Sequence, residues 1–268
     1  MMLSLPAGTV LGFPARARPM DDESAETPFN EPEAGPTWAE RAQLDPLGAV
    51  LDPADTRGGK NRLIDHAHKY ALGRAAGDVR GARVLDFGCG TGRLSEWFVR
   101  SGASVDGVDV TPEMVAVAQT VVPQGRFQTI DASTLPFANG HFDLIVSVAV
   151  LQYYVGTDAS ITRELARVLR KGGQLLAIEQ VTDSDLGRGG TPADYDQMLR
   201  AAGFRVDEIS MIRISDSKIL AFAQRLPVLA GLPTLPWLMT LEARRRAGVP
   251  LTGYRYADAL FRATRAAD

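Results

Sequence analysis

Two hydrophobic periods take turns along the middle of this chain. Apolar runs of strand length lie at 84–87, 105–109, 127–130, 142–147 and 174–181, several apolar at consecutive positions, as strands covered on both faces are. Stripes at helical spacing separate them. Leu94, Trp97 and Phe98 open one; Ile161, Leu165, Val168 and Leu169 form another, which Gly172-Gly173 is expected to stop. Thr111-Pro112-Glu113 carries a helix start, with a hydroxyl N-cap, proline at the first position and an acid in the first turn. Upstream, Leu63, Ile64, Ala67, Ala71 and Leu72 predict a helix over 61–76, with Gly77 as its stop. Strands alternating with helices through short connections predict a parallel, doubly wound sheet.

The distal third departs from that rhythm. Thr191-Pro192-Ala193-Asp194 starts a helix with Tyr195, Met198 and Leu199 on one side and Gly203 at its end. Residues 204–214 alternate as a strand does, and 256–264 reads as a last strand, but about 40 residues part the two, longer than ordinary loops. This insert, 215–253, is expected to be a helical lid or substrate subdomain. Pro227, Pro233 and Pro236 are expected to break any long helix in it. Its greasy stretches and Arg244-Arg245-Arg246 also suggest peripheral membrane contact through 219–246. Residues 1–37 are expected to be a disordered segment, since 21–33 are acidic and proline-containing with few apolar side chains; Met20 competes with Met1 as the start. One domain, 38–268, remains.

Composition narrows the classes. With 268 residues, 45% of them hydrophobic, the chain buries one sizeable core. A net charge of −3 provides no general basic field for nucleic acid. The lone cysteine excludes an internal disulfide and suits a reducing cytoplasm. No apolar run has bilayer length, and Pro6 interrupts an N-terminal run that no basic residue precedes, so neither a span nor a signal peptide is expected. His66 and His68, two apart, face different sides of their helix; with His141 as the one other histidine, no metal site is expected.

The chemistry is concentrated in Val84-Leu85-Asp86-Phe87-Gly88-Cys89-Gly90-Thr91-Gly92-Arg93-Leu94, which reads as strand, tight turn and helix. Its glycines permit positive φ and close approach of a ligand to the backbone, while the helix start offers free N–H groups. A dinucleotide turn asks for glycine at the sixth position, but counting from Gly88 gives Arg93 and from Gly90 gives Ser95. Asp86 would also set an anion against a diphosphate; it suits a ligand with an α-amino group. Asp109, 21 positions beyond Gly88 at the end of the second strand, is either an exposed strand-end acid or an acceptor for ribose hydroxyls, and its spacing favours the second.

This run resembles motif I of the class I S-adenosylmethionine-dependent methyltransferases, in particular the type 11 group that includes quinone-biosynthesis enzymes. The later strands follow the family's order. The resemblance implies a Rossmann-like, mostly parallel seven-stranded sheet with an N-terminal helical segment, and S-adenosyl-L-methionine as cofactor. It implies cytoplasmic methyl transfer to a small-molecule or lipid-linked acceptor. Ser147-Val148-Ala149 stands where DNA amino-methylating enzymes carry a proline-proline-aromatic cluster, and nucleic acid is not expected. Around the cofactor the resemblance places Asp86, Gly88, Cys89, Gly90, Asp109, Val110, Asp131, Ala132 and Ser147, with Asp131 at the adenine amino group and Cys89 contributing mainly backbone. In relatives a helix before this motif closes over the cofactor, which makes Lys60 or Arg62 a candidate for the methionyl carboxylate, with solvation at the surface as the reading favoured for either one. Relatives often carry Val-Leu-His after the fourth strand; here Val150-Leu151-Gln152 replaces it, and glutamine is no base. Catalysis is therefore expected from Glu179, Tyr153 or Tyr154. An NAD-dependent oxidoreductase and a silent S-adenosylmethionine-binding protein are the alternatives.

Overall fold

Seven strands form one sheet in the order β3-β2-β1-β4-β5-β7-β6: β1 (Arg83–Phe87), β2 (Ser104–Asp109), β3 (Arg126–Thr129), β4 (Phe142–Val148), β5 (Leu169–Val181), β6 (Phe204–Ile214) and β7 (Ala257–Arg265). The computed structural model describes residues 36–131, 133–156, 160–183, 189–246 and 256–267. Expectations for residues 1–35, including Met20, for Ala132 and for 247–253 of the insert lie outside the described residues. β1 to β5 pair in parallel, while β7 runs antiparallel between β5 and β6. The chain winds outward in both directions from β1 and β4, so a crevice opens beyond their carboxyl ends.

Strand alternation divides the core. Leu85 and Phe87, Ile145, Leu175 and Ala177 face α6 (Ser160–Val168) and α7 (Pro192–Ala201). Val84, Leu144, Val146, Leu176 and Ile178 face α3 (Gly59–Ala76) and α4 (Arg93–Arg100). α5 (Pro112–Val121) follows β2. Its start is Thr111, as expected, though the hydroxyl makes no cap there; Asp109 Oδ1 accepts the Thr111 N–H instead.

The structure corrects one boundary. α6 ends at Val168, and Leu169 is already the first residue of β5, paired with Phe142. A register shift follows, and Leu144 next pairs with Gln174. Gly172, at φ +69°, thus serves an irregularity inside the strand rather than a helix cap. Leu169 is buried in the same core whichever period it is counted in, so its hydrophobicity could not separate the two.

Two short helices precede the predicted one. α1 (Trp38–Arg41) starts with a capping box between Thr37 and Glu40. α2 (Pro46–Val50) starts where the Asp45 carboxylate accepts the Leu47 and Gly48 N–H groups. In the insert, α8 (Lys218–Arg225), a 3-10 turn (Pro227–Gly231) and α9 (Thr234–Arg245) lie on α3 and β6. As expected, no long helix runs through its prolines, and each opens a new turn or lies at a helix start: Pro227 opens the 3-10 turn after α8 ends, Pro233 is the N-cap of α9, and Pro236 lies in its first turn. Arg62 donates to the Pro227 carbonyl, and a Cβ on Gly59 would fall 2.5 Å from the Ala223 carbonyl oxygen, so α3 and the insert are tightly joined. The insert exposes Phe222, Val228 and Trp237 outward. Among the described residues, no helix is long and apolar enough to cross a membrane.

Candidate functional site

The turn between β1 and α4 is left-handed at Gly88, Gly90 and Gly92, with φ of +73°, +51° and +83°. Close neighbours demand glycine at two of them as well: a Cβ on Gly88 would fall 2.2 Å from Val150 Cγ2, and one on Gly90 2.6 Å from Val50 Cγ1. β2 fastens the turn, because the Gly90 N–H donates to Asp109 Oδ2 at 2.9 Å while Oδ1 holds Thr111. Each Asp109 oxygen keeps a further acceptor position. Asp86 is buried, and its Oδ2 accepts from Ser95 Oγ at 2.6 Å; burial pushes its pKa up to about 6.

Two cavities open here and share Val50, Gly88, Val148 and Ala149 as walls. The smaller, about 90 Å³, runs over the ends of β1 and β2 between Trp38, Asp109, Met114, Ile130 and Tyr153, and no Lys or Arg among the described residues lines it. The larger, about 260 Å³, has Lys60, Asp86 and Arg93 near the glycine turn and Gln180, Arg213 and Asp258 at its far end. Ala149 stands where they meet. It is the one non-glycine with positive φ (61°) among the described residues, held by its N–H on the Ile178 carbonyl at 2.8 Å.

The expected cofactor residues divide between these walls and the ground behind them. Asp86, Gly88 and Cys89 line the larger cavity, and Gly88, Gly90, Asp109 and Val110 the smaller. Burial drives the Cys89 thiol well up in pKa, which leaves it an unreactive thiol. Ser147 is turned away, its Oγ donating to Glu179 Oε1 at 3.3 Å. Asp131 is exposed and bends back on Ser133, accepting its N–H and hydroxyl at 2.9 and 2.7 Å; Ile130 lines the cavity in its place. Of the two candidate cations for the methionyl carboxylate, Lys60 lines the larger cavity, paired with Asp52, whereas Arg62 faces the insert.

The three expected catalytic residues separate in the same way. Tyr153 lines the smaller cavity. Tyr154 is buried against Phe87, and burial pushes its hydroxyl pKa well up. Glu179 and Gln180 are adjacent on β5 and so face opposite sides of the sheet: Gln180 meets the larger cavity, and Glu179 does not. The Glu179 carboxyl accepts the N–H groups of Val150, Leu151 and Gln152 at 3.4, 3.1 and 3.2 Å. It shapes the 3-10 turn after β4, and burial pushes its pKa up to about 8. None of the described residues 218–246 lines either cavity, so the insert bears on the site through α3.

Among the lining residues that the sequence analysis did not assign to the site are Trp38, Val50, His68, Arg213 and Asp258. The capping signals at Thr37/Glu40 and Asp45-Pro46 mark the helices that carry the first two. The other three meet only through sheet topology.

Residues 85–177 match the family model of a methyltransferase domain. Over that segment the match bears out the resemblance to the class I S-adenosylmethionine-dependent methyltransferases of the type 11 group. A ubiquinone biosynthesis O-methyltransferase of Xanthomonas oryzae pv. oryzae is 38% identical over 104 residues, 37% of this chain and 43% of that protein. Methyltransferase GfsG of Streptomyces halstedii is 35% identical over 157 residues, 56% of this chain and 51% of that one. The chain thus spans about half the length of these curated relatives or less. A geranyl diphosphate C-methyltransferase of Streptomyces coelicolor A3(2), solved with S-adenosyl-L-homocysteine, superposes with a TM-score of 0.56 over 81% of this chain and 86% of that one, at 14% identity, a likeness of fold alone. S-adenosylmethionine is the cofactor of this methyltransferase family. The donor set fits it: the smaller cavity offers one carboxylate and, among the described residues, no lining Lys or Arg, while in the larger Lys60 and Asp86 offer both charges.

Proposed function

We propose that this chain transfers a methyl group from S-adenosylmethionine to a small-molecule acceptor held in the larger cavity. The observation that carries this reading is the charge along the crevice. The smaller cavity has Asp109 and no lining cation among the described residues. A dinucleotide diphosphate there would face a carboxylate with nothing to neutralise it, whereas a nucleoside needs an acceptor for its hydroxyls and apolar walls for its base. Asp109 accepts from the ribose, Val110, Met114 and Ile130 pack the base, and Gly88 and Gly90 admit the chain closely. Lys60 meets the methionyl carboxylate, and Asp86 the amino group.

When bound, the cofactor supplies an electrophilic methyl on a sulfonium. The protein's part is alignment of the acceptor, which is able to supply about 7–11 kcal/mol of a barrier. Tyr153 is the one expected catalytic side chain that lines the crevice, and Glu179 is a positioning residue acting through the 3-10 turn. The buried, lone thiol of Cys89 suits a cytoplasmic setting. Calorimetry tests the reading. S-adenosylhomocysteine is expected to bind and NAD not to, and D109A to weaken the former at least about 30-fold, the loss of one or two hydrogen bonds to a charged group. Stabilisation by NAD but not by S-adenosylhomocysteine would overturn it.

A further inference from the structure

Gln180, Asp258 and Arg213 are direct partners across β5, β7 and β6, so their side chains leave one face of the sheet together and line the far end of the larger cavity. A bulge between Met211 and Arg213 sets the arginine into that row. Behind the row a chain of hydrogen bonds runs to α3 and α4. Arg93 donates through Nη1 to Asp65 Oδ1 at 2.9 Å and through Nη2 to His68 Nδ1 at 3.2 Å. A guanidinium has only donors, so His68 Nδ1 is the unprotonated nitrogen and Nε2 carries the hydrogen. Nε2 donates to Asp258 Oδ2 at 3.1 Å, and the same oxygen accepts from Arg213 Nε at 2.6 Å. Burial lowers the His68 pKa, in keeping with a neutral ring.

With the ring neutral, Arg213 balances Asp258, while Asp65 sits between Arg93 and Lys69, whose Nζ lies 2.7 Å from its Oδ2. Arg213 Nη2 reaches the Tyr256 hydroxyl at 3.5 Å. Among the described residues Arg213 Nη1 has no hydrogen-bond partner, and it is buried on a side chain 5% exposed that lines the cavity. A buried donor of a charged group left unsatisfied is unfavourable, and a ligand oxygen at the cavity end removes that penalty.

We propose that this corner is a carboxylate-recognition subsite for the acceptor, with Arg213 as the residue that sets specificity. It rests on the larger cavity being the acceptor site. One carboxylate oxygen takes Arg213 Nη1, and the Gln180 amide and Tyr256 hydroxyl stand beside it for the other. Leu51, Ile64, Val148 and Ile178 receive the apolar body, so the substrate class is an apolar carboxylic acid. His68 is a positioning residue, since both of its ring nitrogens are engaged in holding Asp258 and Arg93.

The test uses the full chain saturated with S-adenosylhomocysteine, titrated calorimetrically with benzoate, phenylacetate and hexanoate and with the matching amides. At least one acid is expected to bind tenfold or more tightly than its amide. The paired variant R213Q/D258N, which keeps the local charge balance, is expected to abolish that preference and leave S-adenosylhomocysteine affinity within twofold. R213K, which retains the charge but not the fork, is expected to lose the preference too and serves if the pair does not fold. The proposal is overturned if no acid exceeds its amide, if the preference survives either variant, or if cofactor affinity falls in step with it, which would assign Arg213 to the methionyl carboxylate. A wild-type chain that binds no S-adenosylhomocysteine sinks the methyl-transfer reading instead.

Discussion

Asp86, Asp109 and Glu179 are all carboxylates at or near strand ends, and their neighbours give them different work. Asp109 has two backbone donors and open lone pairs, Asp86 has one hydroxyl, and Glu179 has a ring of donors on the far face. Asp86, at about 6, must release its proton before it faces a cationic amino group. Cofactor affinity is therefore expected to fall as pH drops below 6, by at most about tenfold per unit, and to level off above it. Calorimetry from pH 5 to 8 measures this; a flat wild-type profile, matching D86N, contradicts the assignment. Glu179 carries a stability signature of the opposite sense in pH. Its folded pKa of about 8 lies above the ordinary carboxyl value, so the fold binds its proton more tightly than the unfolded chain does. That contribution is full below the ordinary value and is lost as pH rises through about 8. Melting curves of E179Q are expected to lack the loss that wild type shows as pH rises from the ordinary carboxyl range to about 8.

At the scale of elements, the glycine turn and the exit of β4 are built against each other. Gly88 has φ +73° and leaves 2.2 Å to Val150 for any added Cβ, so G88A meets backbone strain and a clash together. Strain of that kind is about 1–2 kcal/mol. G88A is expected to lower Tm and abolish binding of S-adenosylhomocysteine, and G88A/V150A to recover part of the stability without the binding. Equal melting of the single and double variants would show that the contact with Val150 does not matter. Alternation along β5 is equally decisive. Glu179 and Gln180 look equivalent as neighbours in sequence, but one lies beneath the 3-10 turn and the other at the cavity wall.

Across the whole molecule, α3 is the piece that joins the parts. It carries Lys60 to the cavity, Asp65 and His68 to the buried network, and Arg62 to the insert. Asp258 is the network's centre: burial opposes its charge, but Arg213 and His68 outweigh burial and hold its pKa below the usual range. D258A strands Arg213 in the interior, and breaking one side of such a pair costs about 3–5 kcal/mol. A fall in Tm of roughly 10 °C is expected, with R213Q/D258N recovering most of it. A smaller drop in the double variant than in D258A is the outcome that shows coupling between Arg213 and Asp258 across β6 and β7.

Local chemistry settled the parallel half before any coordinates. Periodicity, the spacing of the glycines and the acids near the ends of β1 and β2 are local features of the chain, so the amino-acid order alone determined the strands, the glycine turn and the place of Asp109 at the end of β2. The end of α6 escaped because Leu169 is buried under either period. Only the tertiary structure decided which side of the sheet Glu179 takes, that the insert braces α3 from outside, and that His68, Arg213 and Asp258, up to 190 positions apart, form one buried chain. Such contacts are set by strand order and a bulge, which join residues that no local pattern relates.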